Sequence, residues 1–193
     1  MQVAIAIVIV QMHVRKIRCA REEPRFGRLA AGRSVRVPEI ESWVTIWNSM
    51  GAMCTVVSWS ETYSALQTGV VDAQENPIDN ICTNKIYEVN KYIMETEHLQ
   101  GVHHWCINCD TFDAMDPADQ DILVKALAEA DAWGDQELAN LVETYRQTAT
   151  DAGATFVTVD KAAFAAAAQD GINQALQSYT KEAQDYIAAY MAG

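Results

Sequence analysis

The chain has 193 residues, 50% hydrophobic and 21% charged, with nine glycines and four prolines. That composition suits one globular domain or two small ones and excludes disordered, collagen-like and low-complexity classes. The net charge is -12, from eight bases against two acids in residues 1–36 (net +6) and six bases against 24 acids beyond them (net -18), and an acidic body of this kind disfavours bulk contact with a phosphate backbone.

Residues 3–10 are an apolar run rich in β-branched residues, and 3–14 read as a strand. The positive charge follows it rather than leading it, so it reads as a buried strand and not as a secretory signal. No apolar run reaches the roughly 18 residues that cross a bilayer. Residues 15–33 have neither helical nor strand period and read as a loop. Val35-Arg36-Val37 is a short strand stopped by Pro38, which is placed in the first turn of a helix closed by Gly51. Residues 54–59 predict a strand, Ser60 an N-cap for a helix ended by Gly69, and 70–73 a short strand. Gln74-Glu75-Asn76-Pro77 reads as a loop and 78–92 as broken helix. A strand is expected over 98–108. Asp116-Pro117 opens the strongest element, a helix of roughly thirty residues held by an apolar stripe and ended by Gly153. A strand over 155–159, a helix capped by Asp160 and a last helix follow. Alternation of strands and helices predicts an α/β fold with a largely parallel sheet, and the long helix is fit to bridge two lobes.

Several constellations invite a chemical reading. His103, His104, Cys106 and Cys109 have the residue types of a zinc site but no second ligand pair at a matching distance, so no metal is expected. Cys106 and Cys109, on opposite faces of a strand and beside Asp110, make a poor redox dithiol. The five cysteines, an odd count, do not suggest a disulfide framework. No nucleophile elbow, zincin, dinucleotide or P-loop motif occurs, so no cofactor is expected. The basic stretch containing Arg15 and Arg18 holds a single aromatic, Phe26, among its arginines, too few for stacking on bases, which argues against nucleic acid as a partner.

One pattern is more specific. Arg36 lies at a strand end, Trp59 at another, and Asn76 in the segment after a third. In open α/β sheets ligands bind outside the carboxyl ends of the strands. There an arginine fork takes a carboxylate, an asparagine amide adds a donor and an aromatic gives a flat wall. On residue types alone, Arg36 paired with a surface acid and Trp59 in the core remain the alternative.

The stretches that carry this pattern are Val35-Arg36-Val37-Pro38-Glu39, Trp59-Ser60-Glu61-Thr62-Tyr63-Ser64-Ala65-Leu66-Gln67-Thr68-Gly69-Val70-Val71-Asp72 and Ala73-Gln74-Glu75-Asn76-Pro77. From Val35 onward they closely resemble the substrate-binding proteins of tripartite ATP-independent periplasmic (TRAP) transporters, the C4-dicarboxylate-binding type. Asp116-Pro117-Ala118-Asp119-Gln120 is similar to that family's opening of its long bridging helix. The resemblance implies a periplasmic-binding-protein-like two-lobed α/β fold, here mainly the C-terminal lobe plus the bridging helix. It implies a small organic acid as ligand, TRAP membrane permease subunits as partners, a periplasmic location and no catalysis. It assigns Arg36 as the carboxylate clamp, Asn76 as a polar ligand contact and Trp59 as a pocket wall. Ala73 stands where the family usually has glycine.

The resemblance has no counterpart in residues 1–34. Nothing there matches the family's second ligand arginine, neither Arg15 nor Arg18, and most of the N-terminal lobe is missing from the match. The expectation is a basic segment of foreign character, as a frame shift before Val35 would produce, followed by a solute-binding portion over 35–193. With one lobe, Arg36 is expected to face water, where an ion pair is worth ~0–1 kcal/mol, and binding by the chain alone to be weak or absent. The rivals are a non-functional remnant of such a protein and an enzyme that uses Glu61 or His104 as acid or base.

Overall fold

The computed structural model describes residues 5–12, 32–102 and 105–192. The strands are β1 (Ile5–Met12), β2 (Ser34–Val37), β3 (Met53–Val56), β4 (Ala73–Pro77), β5 (Tyr92–Glu95), β6 (Gln100–Val102) and β7 (Thr155–Thr158). They build one sheet in the order β3-β2-β4-β1-β5-β7, with β6 also paired to β1. β2 runs parallel to β3 and β4, and β5 parallel to β7. The expected parallel architecture is present with one exception. β1 runs antiparallel to both β4 and β5 and joins the two parallel sets. The carboxyl ends of β2, β3 and β4 thus share one edge of the sheet.

The helices are α1 (Glu41–Ser49), α2 (Trp59–Thr68), α3 (Ile78–Thr83), α4 (Ile86–Val89), α5 (Cys109–Asp113), α6 (Pro117–Asp151), α7 (Lys161–Leu176) and α8 (Lys181–Ala192). One sheet face buries Val35, Val37, Ala73 and Met94 against Trp47 and Met50 of the α1 region and Phe164 and Ala168 of α7. The other buries Ile93 and Val71 against Leu66 of α2, Ile81 of α3, Ile86 of α4 and Ala149 of α6. α1 and α7 cross closely at Gly171, where an added Cβ would meet the side chain of Ser49 and come within 2.7 Å of Ile46 Cα.

The helix ends follow their local chemistry. Asp116 accepts from the Ala118 N–H at 2.9 Å with Pro117 as the first helical residue, and α6 runs 35 residues. Asp160 accepts from the Ala163 N–H at 2.9 Å. Gly51, Gly69 and Gly153 take positive φ where α1, α2 and α6 end. The last third of α6 packs through Val142, Tyr145 and Ala149, whereas Ile122, Val124 and Trp133 further up the helix are exposed.

Several expectations need correction. The polar segment Ala73-Gln74-Glu75-Asn76-Pro77 is strand β4, not a loop, because it pairs with β2 on one side and β1 on the other. Residues 70–73 are therefore not the strand; only Ala73 belongs to it. The strand over 98–108 shrinks to β6, and Trp105, Cys106 and Ile107 are exposed outside regular structure, with Cys109 opening α5. Pro38 precedes the first turn of α1, since its carbonyl accepts from the Ile40 N–H at 2.8 Å before the helix begins. Ser60 lies inside α2, whose N-cap position is Ser58. Strand β5 occupies residues 92–95, where no strand is expected from the residue pattern and the broken helix is expected to reach 92. His103, His104, Arg15, Arg18 and the stretch 13–31 lie outside the described residues.

Candidate functional site

The site is built at the shared carboxyl edge of β2, β3 and β4. In β2 the alternation of a strand sends Val35 and Val37 to the α1/α7 face and Arg36 to the opposite one. β4 pairs Val35 with Ala73 and Arg36 with Gln74, so Gln74 and then Asn76 follow Arg36 onto its face. Trp59, the first residue of α2, lies just past the end of β3 and reaches the same place.

Arg36 is only 6% exposed. Its Nε donates to the Val57 carbonyl at 2.8 Å, and the Trp59 ring centroid lies 5.6 Å from its Cζ. The expectation of a water-facing arginine is thus overturned, because the indole covers the guanidinium and the carbonyl past β3 holds it inward. Among the described residues no carboxylate lies within ion-pair distance of Arg36. Burial pushes the guanidinium below its ordinary value, and the more distant charge of Glu75 acts in the opposite direction. A buried cation without an ion pair is costly, and an incoming anion offsets that cost.

Asn76 is half-buried. Its Nδ2 donates to Gln74 Oε1 at 2.6 Å, and its Oδ1 accepts from Asn80 Nδ2 of α3 at 3.5 Å. Gln74 is fully buried. Arg36 and Trp59 are therefore in contact, and Asn76 joins them through the strand register. Gln74, Asn80 and the Val57 carbonyl belong to the surroundings of the site without having been singled out from sequence. Gln74 was within reach, since it lies two residues before Asn76 and shares its face once the segment is known to be a strand.

Glu75 points the other way. It is 5% exposed, accepts from Trp43 Nε1 at 2.9 Å and lies 3.6 Å from His98 Nε2. His98 Nδ1 is 2.8 Å from Thr96 Oγ1, and its ring stacks edgewise with Trp47. Beside this group lies an apolar recess lined by Trp43, Trp47, Met50, His98 and Phe164. Glu61, a candidate acid, is exposed on the first turn of α2 and accepts from Ser58 Oγ at 2.6 Å. Among the described residues no group of three or more His, Cys, Asp or Glu side chains is placed to hold a metal, and no helix is long and apolar enough to cross a membrane.

A family model described as bacterial extracellular solute-binding protein, family 7, matches residues 30–182. A solute-binding protein of Roseobacter denitrificans is 35% identical over 141 residues, which are 73% of this chain and 43% of that protein. The C4-dicarboxylate-binding periplasmic protein of Rhodobacter capsulatus is 34% identical over 125 residues, 64% of this chain and 37% of that protein. The crystal structure of a TRAP periplasmic solute binding protein from R. denitrificans, with bound L-galactonate, is similar with a TM-score of 0.79 at 28% identity, covering 95% of this chain and 58% of that one. The chain spans about half the length of these relatives, or less.

Proposed function

We propose, since this chain belongs to bacterial extracellular solute-binding protein family 7, that it acts as the solute-binding subunit of a TRAP transporter and takes up a small organic acid for delivery to membrane permease subunits. The ligand-holding portion is residues 35–193. Arg36 clamps the carboxylate, Asn76 makes a polar contact and Trp59 forms the wall. The observation that carries this reading is the buried Arg36 guanidinium, covered by Trp59 and without an ion pair among the described residues. A charge held in that way stabilises a complementary anion far more than an exposed one does.

The ligand class in this reading is a small organic acid, not the C4-dicarboxylates alone. One relative carries C4-dicarboxylate binding in its name and another was crystallised with a sugar acid. What these share is a carboxylate on a small polar body, and one arginine fork with a neighbouring amide reads that much. The periplasm is the compartment that fits such a carrier. A binding role fits better than catalysis, because Glu61 is an exposed helix-start acid bonded to Ser58 and lies outside the Arg36 cluster.

A thermal-shift titration with L-galactonate and succinate tests the reading. Burial of Arg36 removes the ground for expecting weak binding by the chain alone, so the expected result is a rise in melting temperature with one of these acids that Arg36→Ala abolishes. An equal rise in wild type and variant would overturn the assignment of Arg36.

A further inference from the structure

Gln74 sits in the middle of the sheet, fully buried, directly opposite Arg36 in the β2/β4 ladder. Its Oε1 accepts the Asn76 Nδ2–H at 2.6 Å, and Asn80 meets the other end of the Asn76 amide. The Asn76 side chain is thereby held at both ends. A glutamate at position 74 could accept the same bond. It would also bring a buried carboxylate onto the face of a guanidinium that has no acid within ion-pair distance among the described residues. Such a carboxylate would occupy the charge that a ligand needs.

We propose that Gln74 is a positioning and specificity residue of this site: it orients the Asn76 amide and, being uncharged, leaves the Arg36 charge for the carboxylate of the ligand. This rests on the reading of Arg36 and Asn76 as an anion site. Position 74 thus separates two jobs that one carboxylate could not combine, accepting a hydrogen bond and leaving the neighbouring cation uncompensated.

The test uses the full chain with the near-isosteric variants Gln74→Met and Gln74→Glu, each also in the Arg36→Met background. In isotope-labelled protein the Asn76 side-chain amide resonances should move in Gln74→Met and be restored in Gln74→Glu, which keeps the acceptor. Gln74→Glu should melt higher than Gln74→Met at pH 7. The new carboxylate, paired with Arg36, would have a lowered pKa when folded, so its gain is present above the unfolded glutamate value of about 4.3 and is lost as pH falls below it. The gain should vanish in the Arg36→Met background. Gln74→Glu should also weaken L-galactonate binding about tenfold or more, which is ~1.4 kcal/mol. Unmoved Asn76 resonances in Gln74→Met would overturn the positioning role. A Gln74→Glu protein that gains no stability from Arg36, or binds L-galactonate as well as wild type does, would overturn the specificity role. A wild type that responds to no acid tells against the anion-site reading instead, while the resonances and melting curves still decide what Gln74 does.

Discussion

On one side of β4, Glu75 lies under α1 with Trp43 Nε1 donating to it at 2.9 Å and His98 3.6 Å away. On the other side, Arg36 is as deeply buried but meets a backbone carbonyl and an indole face, with no acid at ion-pair distance among the described residues. The acid is bonded within the fold; the base meets no acid among the described residues, and the proposed anion site rests on that difference. Burial by itself therefore does not distinguish a structural charge from a functional one, whereas the state of its partners does.

The largest expected effect probes the face that holds Glu75. Gly171→Leu drives a side chain into Ser49 and the Ile46 backbone, and should cost ~3 kcal/mol in a denaturant titration by prising α7 from α1. A destabilisation below ~1 kcal/mol would mean that the two helices are free to separate.

The contrast itself is tested by two substitutions of opposite expected sign. Glu75→Leu leaves the Trp43 N–H without its acceptor and should cost ~1–3 kcal/mol. Arg36→Met replaces a buried charge that has no ion pair among the described residues with an apolar chain of similar length, and should leave stability unchanged or raise it. Equal losses in chemical denaturation for the two variants would erase the distinction drawn between the two faces.

The smallest effect compares one thiol from each face. Burial raises both Cys54, beside the α1 cluster, and Cys82, in the α3 cluster, to about 11. The folded state thus holds its thiol protons to higher pH than the unfolded chain does. Their stabilising contribution is present below the ordinary thiol value near 8.5 and is lost as pH rises toward 11. Melting temperature should fall over that interval, and less steeply in a Cys54→Ala, Cys82→Ala variant. Identical slopes would show that neither thiol contributes.

What the sequence determined by itself was local. Asp116-Pro117, Asp160 and the glycines at 51, 69 and 153 mark helix ends, because caps and positive φ are satisfied by residues within a turn of one another. Arg36, Trp59 and Asn76 were legible through a resemblance spread over three segments; their residue types alone left a surface or core role open. The polar run from Ala73 to Pro77 had no strand signal, since both of its faces carry polar side chains, Glu75 on one and Gln74 and Asn76 on the other. Only the ladders to β1 and β2 make it a strand, and only that strand sends Glu75 to Trp43 and His98 while Gln74 and Asn76 go to the side of Arg36. The burial of Arg36 was likewise decided by tertiary structure, as it depends on an indole and a carbonyl more than 20 residues along the chain. Pairing and burial are set by contacts between distant segments, and a local pattern of residues does not encode them.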